Sequence, residues 1–532
     1  MKNANNSRTI KLGSNGIESP HTGVKAWLAP VLITMIGAFM SILDASIVNV
    51  AIAPIMHVFN TNTATIEWVV TAYSLALGAV VPLSGWAGDK FGFKSVYLFS
   101  LIVFTIGSLL CTVSWGVEPL IVARIIQAVG GGMIMPTTIA MVTRIVPKQN
   151  FGTAMGIIGI SLFMAPAIGP TLGGYLVEYV GWRWIFTINL PIGVIGILLA
   201  WFYMPKFPKK EDAGKLDWGG VVTSIIMLFC LLLALSKGAD WGWGSEPVIL
   251  LFFVSGVCLV LFLIVELTTE NPLLDIRLFK ITTFTAANIM SAVVTIGLFA
   301  GIFYIPLFLQ NIRGLGAMET GLIMLPAALI SGIMMPISGK LYDKVGPKPL
   351  AVIGLLACAY ATYLFHQIDV NTPNITLISW MIFRSVGLSL AQMPAQSASV
   401  ASVPQDKVGR ASAISNIIQR VASAFGIVVL TTMLTNSMNS YSAQMTNSIN
   451  AQNITATSFF AKLTTMFGGS AATAKAYGVM IAQGYIAQAS FVRALDDLFV
   501  VAAAIALIGV IPAFFLKKSN ALADSRSALA GE

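Results

Sequence analysis

Asp44 is the only charged residue of the first long apolar segment, within the stretch SILDASIVN at residues 41–49. An ionisable side chain in hydrocarbon costs about 2.5–3.5 kcal/mol on insertion scales, so it is usually paired, protonated or in contact with a water-filled cavity. Burial also favours the neutral carboxyl over the carboxylate. Asp44 is therefore a candidate proton site, which would take up a proton on one side of a membrane and release it on the other. The structural alternative is a helix–helix hydrogen bond or an ion pair with an arginine.

Arg124 is the candidate counter-charge, in the stretch LIVARIIQA at residues 120–128. Arginine does not lose its charge in proteins. Its expected role is therefore to tune a nearby carboxylate and to change partners when that acid is protonated. Its candidate partners are Asp44, Glu118 and a backbone carbonyl. The structural alternative is a side chain that extends to the membrane interface.

The composition indicates that these residues are carried by membrane helices. Of the 532 residues, 56% are hydrophobic and 10% are charged, and the mean hydropathy is +0.83. Soluble proteins carry roughly 25% charged residues, so a polytopic membrane protein is expected. The net charge of +9 comes from basic residues scattered through short loops, which indicates membrane topology and argues against nucleic-acid binding. The four cysteines lie inside apolar runs, so no disulfide framework is expected.

Fourteen apolar segments are long enough to cross a bilayer, since a membrane helix needs about 20 apolar residues. Of the 31 Lys and Arg residues, 22 fall in loops on the side of the termini, six in the opposite loops and three within the segments. Because basic residues concentrate in cytoplasmic loops, both termini are expected in the cytoplasm. The segments lie near residues 28–54, 67–87, 95–115, 119–143, 152–177, 184–204, 218–236, 247–266, 284–309, 319–339, 350–367, 375–399, 409–434 and 497–516.

Two halves of the chain repeat each other. Residues 85–94 (GWAGDKFGFK) recur 254 positions later as residues 339–348 (GKLYDKVGPK), and Gly152 corresponds to Gly409 at an offset of 257. Such halves are typical of transporters that expose a central site alternately to the two sides of the membrane. The expected units are a cytoplasmic tail at 1–27, a six-helix bundle at 28–205, an inserted hairpin of spans 7 and 8 at 206–270, a second six-helix bundle at 271–516 with a long external loop at 435–495, and a cytoplasmic tail at 517–532.

The repeated loop resembles the signature between spans 2 and 3 of the major facilitator superfamily, Gly-x-Leu-a-Asp-Arg-x-Gly-Arg-Lys, from which Ala87, Lys90 and Phe93 depart. Residues 43–51 (LDASIVNVA) and 67–73 (EWVVTAY) resemble motifs of its 14-span drug:proton antiporter branch (EmrB/QacA-like). Arg124 with Gln127 resembles the superfamily's span-4 motif Leu-x-x-x-Arg-x-x-Gln-Gly, with Ala128 in place of the glycine.

This resemblance implies an all-α polytopic membrane protein with the major facilitator fold, built as two six-helix bundles plus an inserted two-helix hairpin. It also implies proton coupling through Asp44 and Arg124, and a place in the bacterial cytoplasmic membrane.

Span 5 carries a face of small residues, Ser161, Ala165, Gly169 and Gly173, each four positions apart. Small residues let helices approach closely in lipid, where packing drives their association. Pro166 and Pro170 each remove an intrahelical hydrogen bond and bend the helix. The segment resembles the antiporter motif Gly-Pro-x-x-Gly-Gly at Gly169, Pro170, Gly173 and Gly174, which implies a seal of the cytoplasm-closed interface. The alternative is plain close packing.

Asp89 and Asp343 each end a span and begin a tight turn. Helix capping or a salt bridge within the loop would be a sufficient structural explanation, whereas the family resemblance adds a role in locking the outward-facing state. The gating residues predicted in the two loops are Gly85, Asp89, Gly92, Gly339, Asp343 and Gly346.

The candidate substrate-binding residues are polar, aromatic or soft side chains of the spans. Methionine and aromatic walls repack around varied ligands, which suits promiscuous binding, although each residue taken singly also fits ordinary packing. Three arginines and one clearly buried aspartate in the interior favour neutral or anionic amphiphiles over dications. The candidates are Asn49, Trp68, Tyr73, Gln127, Tyr304, Gln310, Gln392, Met393, Asn416 and Arg420.

The function expected from these features is proton-coupled export of lipophilic drugs or toxic compounds by alternating access. The alternatives are export of an endogenous lipid, fatty acid or amphiphilic metabolite, and a membrane sensor or enzyme without transport. The three histidines do not cluster with acids in the spans, and no phosphate-binding Gly-x-x-x-x-Gly-Lys-Ser/Thr loop occurs, which argues against an enzyme and against ATP as the energy source. No cofactor and no metal is expected. The expected partners are a lipophilic small molecule, protons, the lipid bilayer and, in a Gram-negative host, a periplasmic adaptor that docks on the 435–495 loop.

Overall fold

The computed structural model describes residues 12–13, 16–17, 26–207, 209, 216–448 and 471–517. The prediction of fourteen membrane-length helices is confirmed within this described part of the chain. The spans are Leu28–Val58, Thr63–Val80, Phe93–Thr112, Val117–Ile145, Lys148–Tyr179, Trp184–Tyr203, Trp218–Trp241, Glu246–Thr268, Thr282–Ile312, Met318–Val345, Pro347–Gln367, Asn374–Ala401, Gln405–Asn447 and Gly478–Ala513, numbered 1 to 14 below.

Short elements complete or connect several spans. Span 2 continues after a brief interruption as the helix Leu83–Phe91, and span 9 ends in a π-helical turn at Phe308–Ile312. Span 13 consists mainly of the helix Val408–Ser448, and span 14 begins within the helix Ala471–Ile508. The remaining short elements are helices at Thr63–Ile66, Trp184–Thr187 and Val510–Ala513, 3₁₀ turns at Lys148–Asn150, Ile276–Lys280, Phe365–Gln367 and Gln405–Lys407, and a two-residue antiparallel strand pair, Leu12–Gly13 with Gly16–Ile17.

The two repeated loops reverse the chain in the same way. Gly92 and Gly346 have φ values of +86° and +93°, in the left-handed region that glycine adopts without a steric penalty. The backbone N–H of each glycine donates to the carbonyl four residues earlier, on Gly88 or Tyr342, and so closes the preceding helix. One glycine thus ends one span and begins the next in both halves.

The two halves meet through a small set of helices. Span 5 packs along span 1 in its own half and along span 10 in the other half, while span 13 packs against spans 2 and 4. Span 7 of the inserted hairpin contacts both span 2 and span 13, whereas span 8 lies outside it and buries few of its side chains. The hairpin therefore lies beside the junction of the halves. Lys237 of span 7 forms ion pairs with Glu67 of span 2 and with Asp240.

The described parts of the predicted 435–495 loop are helical. Residues 435–448 extend the helix of span 13, and residues 471–495 form the first part of the helix of span 14. These stretches contain no proline and many Ala, Ser and Gln residues, so they can be helical although the sequence alone does not predict them as part of an apolar segment. Residues 449–470 lie outside the described residues, as do the tails at 1–11 and 518–532.

Candidate functional site

Asp44 lies at the centre of a buried polar cluster in the first half. Its carboxylate is fully buried, and its Oδ2 lies 2.5 Å from Nη1 of Arg124. The other carboxylate oxygen accepts hydrogen bonds from Nε2 of Gln127 at 2.9 Å and from Nδ2 of Asn189 at 2.8 Å. Spans 1, 4 and 6 are therefore joined at one carboxylate. A buried charge is tolerated in this way only when it is paired and its remaining lone pairs are hydrogen-bonded.

Arg124 is surrounded by partners as completely as Asp44 is. Its Nη1 also donates to Oε1 of Gln127 at 2.6 Å, and its Nε donates to the carbonyl of Val69 at 3.3 Å. The ring of Tyr73 covers the guanidinium at 3.7 Å from Cζ to the ring centroid, a cation–π arrangement. Of the three partners considered from the sequence, the structure selects Asp44 as the ion-pair partner, while Glu118 is exposed.

Local sequence explains part of this cluster. Arg124 and Gln127 are three residues apart on one helix and therefore point to the same face. Ser108 of span 3 was not predicted; its hydroxyl accepts hydrogen bonds from Gln127 at 2.7 Å and from Asn189 at 3.3 Å. Asn189 was not predicted either, although an asparagine inside the apolar segment of span 6 indicates a polar contact within the membrane.

Asp343 connects the two halves at the end of the bundle where both repeated loops lie, which we call the predicted cytoplasmic end. Its carboxylate accepts hydrogen bonds from the backbone N–H groups of Gly152 at 2.8 Å and Thr153 at 3.1 Å, and from the Thr153 hydroxyl at 3.0 Å. Gly339 packs directly on Gly152, since an added Cβ would overlap the Gly152 carbonyl oxygen. The loop of the second half is thus held on the start of span 5.

Asp89, the counterpart of Asp343, lies beside a cation of its own half. It forms an ion pair with Arg144 of span 4, at 3.5 Å, within its own half. The contact with the other half at this loop is made by Gly85, where an added Cβ would lie 3.1 Å from the backbone of Gly409 and Arg410. The predicted cytoplasmic end is therefore closed by close backbone packing on both sides of the junction.

The predicted small-residue face of span 5 packs against span 1. An added Cβ would lie 2.6 Å from the Ser46 hydroxyl at Gly169 and 2.8 Å from the Ile47 side chain at Gly173. Ser46 donates to the carbonyl of Pro166 at 3.0 Å. That carbonyl lost its helical donor because Pro170 has no N–H, so span 1 satisfies the group that the proline leaves open.

The interface of span 5 with the other half uses a different face from the predicted one. Near the predicted cytoplasmic end Gly152, Gly156 and Gly159 pack against Gly339 and Met335. The reason is periodicity: residues 152, 156 and 159 form their own small-residue face, displaced around the helix from the face that contains Gly169 and Gly173.

The candidate substrate-binding residues are distributed over several environments. Tyr73 and Gln127 belong to the Asp44 cluster, Asn49 and Gln310 are exposed, and Arg420 has an Nε without a hydrogen-bond partner. Trp68 packs near span 7, and the Tyr304 hydroxyl forms hydrogen bonds with the Ile427 carbonyl and the Thr431 hydroxyl of span 13. The side-chain oxygen of Gln392 is buried without a hydrogen-bond partner, and Met393 lies in the apolar core. Asn416 donates a hydrogen bond to the carbonyl of Ser412.

Comparisons with known proteins agree with this architecture. YhcA of Bacillus subtilis (strain 168), described as an uncharacterised MFS-type transporter, is 32% identical over 491 residues, 92% of this chain and 92% of the relative. The multidrug transporter protein MdtP of the same organism is 32% identical, covering 79% of this chain and 76% of the relative. The solved structure of the human organic anion transporter MFSD10 (TETRAN) has the same fold, with a TM-score of 0.58 and 13% identity over 92% of this chain and 99% of that chain.

A family profile described as Major Facilitator Superfamily matches residues 34–427, which include the Asp44 cluster and both repeated loops. This chain therefore belongs to the major facilitator superfamily of membrane transporters and is not an enzyme.

Proposed function

We propose that this transporter is a proton-coupled exporter of lipophilic drugs or toxic compounds that works by alternating access. The observation that carries the proposal is the fully buried Asp44 carboxylate, paired with Arg124 and bonded to span 6. A relative with a name that describes multidrug transport supports the substrate class. The proposed energy source is the proton gradient, without a cofactor.

The proton step follows from the contacts of the pair. When Asp44 takes up a proton, its carboxylate becomes a neutral carboxyl and the Coulombic attraction to Arg124 is lost. Arg124 stays charged and keeps the Val69 carbonyl and the Gln127 amide oxygen as acceptors. Spans 1 and 4 then lose the strongest link between them. Protonation thus changes the relative stability of two arrangements of the helices, which is what coupling requires.

The conformational step takes place where the halves touch. At the predicted cytoplasmic end the halves are held by Asp343 on span 5 and by backbone packing at Gly85 and Gly339. Opening this end requires these few contacts to separate while each bundle remains intact. Rigid rocking of two bundles about a central site is the movement that such repeats allow.

The experiment is efflux of a lipophilic dye from proteoliposomes under an imposed pH gradient, comparing wild type with Asp44→Asn. Asparagine keeps the shape and can still hydrogen-bond to its neighbours, but it cannot carry the proton or the charge. We expect gradient-driven efflux by wild type and its loss in the variant, with normal folding by size-exclusion chromatography. Glu118→Gln is the matched control, since Glu118 is an exposed acid on span 4.

Two results would count against this proposal. Gradient-driven efflux that persists in Asp44→Asn would make Asp44 a structural residue. Wild-type transport that ignores the gradient, across neutral, anionic and cationic dyes, would exclude proton antiport.

A further inference from the structure

The arginines within the membrane spans are not balanced alike: Arg124 and Arg384 are buried and Arg420 is partly buried. Among the described residues, three arginines lie inside the spans at positions away from the loops: Arg124, Arg384 and Arg420. Only Arg124 is in an ion pair, with Asp44. The other two therefore place uncompensated positive charge in the second half.

Arg384 lies in the fourth helix of the second half, as Arg124 lies in the fourth helix of the first. It lies against Gly301, where an added Cβ would overlap its guanidinium. Gly301 follows Asp44 by 257 residues, the same offset that relates Gly409 to Gly152. The second half thus has glycine where the first has the acid, and Arg384 donates instead to the carbonyls of Gly297 and Leu298. Its charge is held by the backbone of span 9.

Arg420 is different, because it lies on the face of span 13 that meets the other half. Arg420 lies one turn before Ala424, which packs in the same apolar cluster as Trp68 and Leu75 of span 2. It forms no ion pair with any acid of the described residues, and its Nε is buried without a partner. Eleven helical residues separate it from Gly409 at the predicted cytoplasmic end, about 16 Å at helical rise and close to the middle of a hydrocarbon core of about 30 Å.

An unpaired charge at this depth is unfavourable, so a residue of this kind marks a ligand or ion pathway. A guanidinium presents a planar fork of donors that matches the two oxygens of a carboxylate or phosphate. The surroundings on span 13 are apolar, since Ile417 and Ile418 pack in the cluster around Val81, and Ala424 packs near Leu232. A ligand at this place would therefore combine an anionic group with an apolar body.

We propose that Arg420 is the recognition site for the carboxylate or phosphate group of an amphiphilic anionic substrate, bound between spans 2 and 13. This inference rests on the proposed function for its role in export and names the substrate class for that same pathway. The ligand's anion would replace the missing acid and make Arg420 the second compensated arginine at the junction of the halves.

The test measures binding directly, so that it does not depend on proton coupling. Radiolabelled laurate and dodecyl phosphate are titrated onto the purified full-length protein in detergent, with methyl laurate and dodecyltrimethylammonium as neutral and cationic competitors. We expect both anions to bind, and methyl laurate to compete at least about tenfold more weakly than unlabelled laurate, from the loss of a charged hydrogen-bonded pair. Preference for one anion identifies a carboxylate or a phosphate ligand.

Substitutions test whether the preference for anionic ligands depends on Arg420. Arg420→Gln should lose the tenfold discrimination between laurate and methyl laurate, and Arg420→Lys should retain part of it because lysine keeps the charge without the planar pair of donors. Lys340→Gln removes the same charge from an exposed position and should behave as wild type.

Two results would overturn the inference: no anion preference in wild type, or an unchanged anion preference in Arg420→Gln. If anions bind through Arg420 but no variant or wild type shows gradient-driven transport, the proposed function fails while this binding site stands.

Discussion

At the scale of single residues, the Asp44 cluster shows how an acid is kept inside a membrane protein. Its carboxylate has three side-chain donors from two other spans, and the arginine that pairs with it has its own acceptors and an aromatic cover. Each side chain of the cluster thus offsets the free-energy cost of removing its neighbour from water. The consequence is that single substitutions here should cost more than the paired substitution.

Arg124→Leu should strongly destabilise the protein, by roughly 3–5 kcal/mol, because it leaves the Asp44 carboxylate buried without its counter-charge. The double variant Asp44→Leu with Arg124→Leu should be more stable than Arg124→Leu alone, since no charge remains to be desolvated. Thermal unfolding in detergent, followed by fluorescence, measures both. A double variant less stable than Arg124→Leu would show that the pair is not the main reason for the loss.

At the scale of helices, span 5 is the element on which the junction depends. Two small-residue faces of the same helix serve two neighbours, with Gly169 and Gly173 on span 1 and Gly152, Gly156 and Gly159 on span 10. Because both contacts are close backbone approaches, span 5 transmits the position of span 1, and so of Asp44, to the other half.

Gly339→Ala should shift the protein away from closure at the predicted cytoplasmic end, since the new Cβ overlaps the Gly152 carbonyl, which is backbone and cannot rotate aside. Distance measurements between spin labels on spans 4 and 10 at that end should show a broader, longer distribution than in wild type.

The matched control for this shift is Gly256→Ala in span 8, where an added Cβ meets nothing within 4 Å. Equal distance distributions for Gly339→Ala and wild type would mean that the end is closed by other contacts.

At the scale of the whole molecule, the two repeated halves share a fold but not a charge pattern. The first half holds a compensated arginine, whereas the second holds arginines without acids at Arg384 and Arg420. Under the two proposals made above, the first half would respond to protons and the second to the substrate. Membrane orientation belongs to this scale as well, because it depends on the sum of the loop charges.

The orientation predicts which loops a membrane-impermeant maleimide reaches in intact cells. In a background with Cys258→Ser, to remove the half-buried native thiol, Thr63→Cys at the exposed start of span 2 should be labelled from outside. Lys340→Cys at the opposite end should be labelled only after the membrane is permeabilised. The reverse pattern would place both termini outside the cytoplasm.

Much of the architecture could be predicted from the sequence, because a membrane segment is recognised by its own composition. The fourteen spans, the repeated loops and the isolated charge of Asp44 are local signals that need no knowledge of neighbours. The sequence did not predict where the helices of spans 13 and 14 end, because residues 435–448 and 471–495 are helical but polar. The placement of Ser108 and Asn189 was also missed, since an isolated polar residue in a span has no partner that its own segment can reveal.

The sequence by itself determined the class of protein, the number of spans, their repeated arrangement and the candidate proton site. Only the tertiary structure decided that Arg124 pairs with Asp44 and not with Glu118, which face of span 5 meets the other half, and that Arg420 has no acid beside it. The physical reason is the distance along the chain over which each property is determined. The hydrophobicity of a segment depends only on its own residues, whereas ion pairs and close helix contacts join residues up to hundreds of positions apart. Their formation depends on how whole helices are packed.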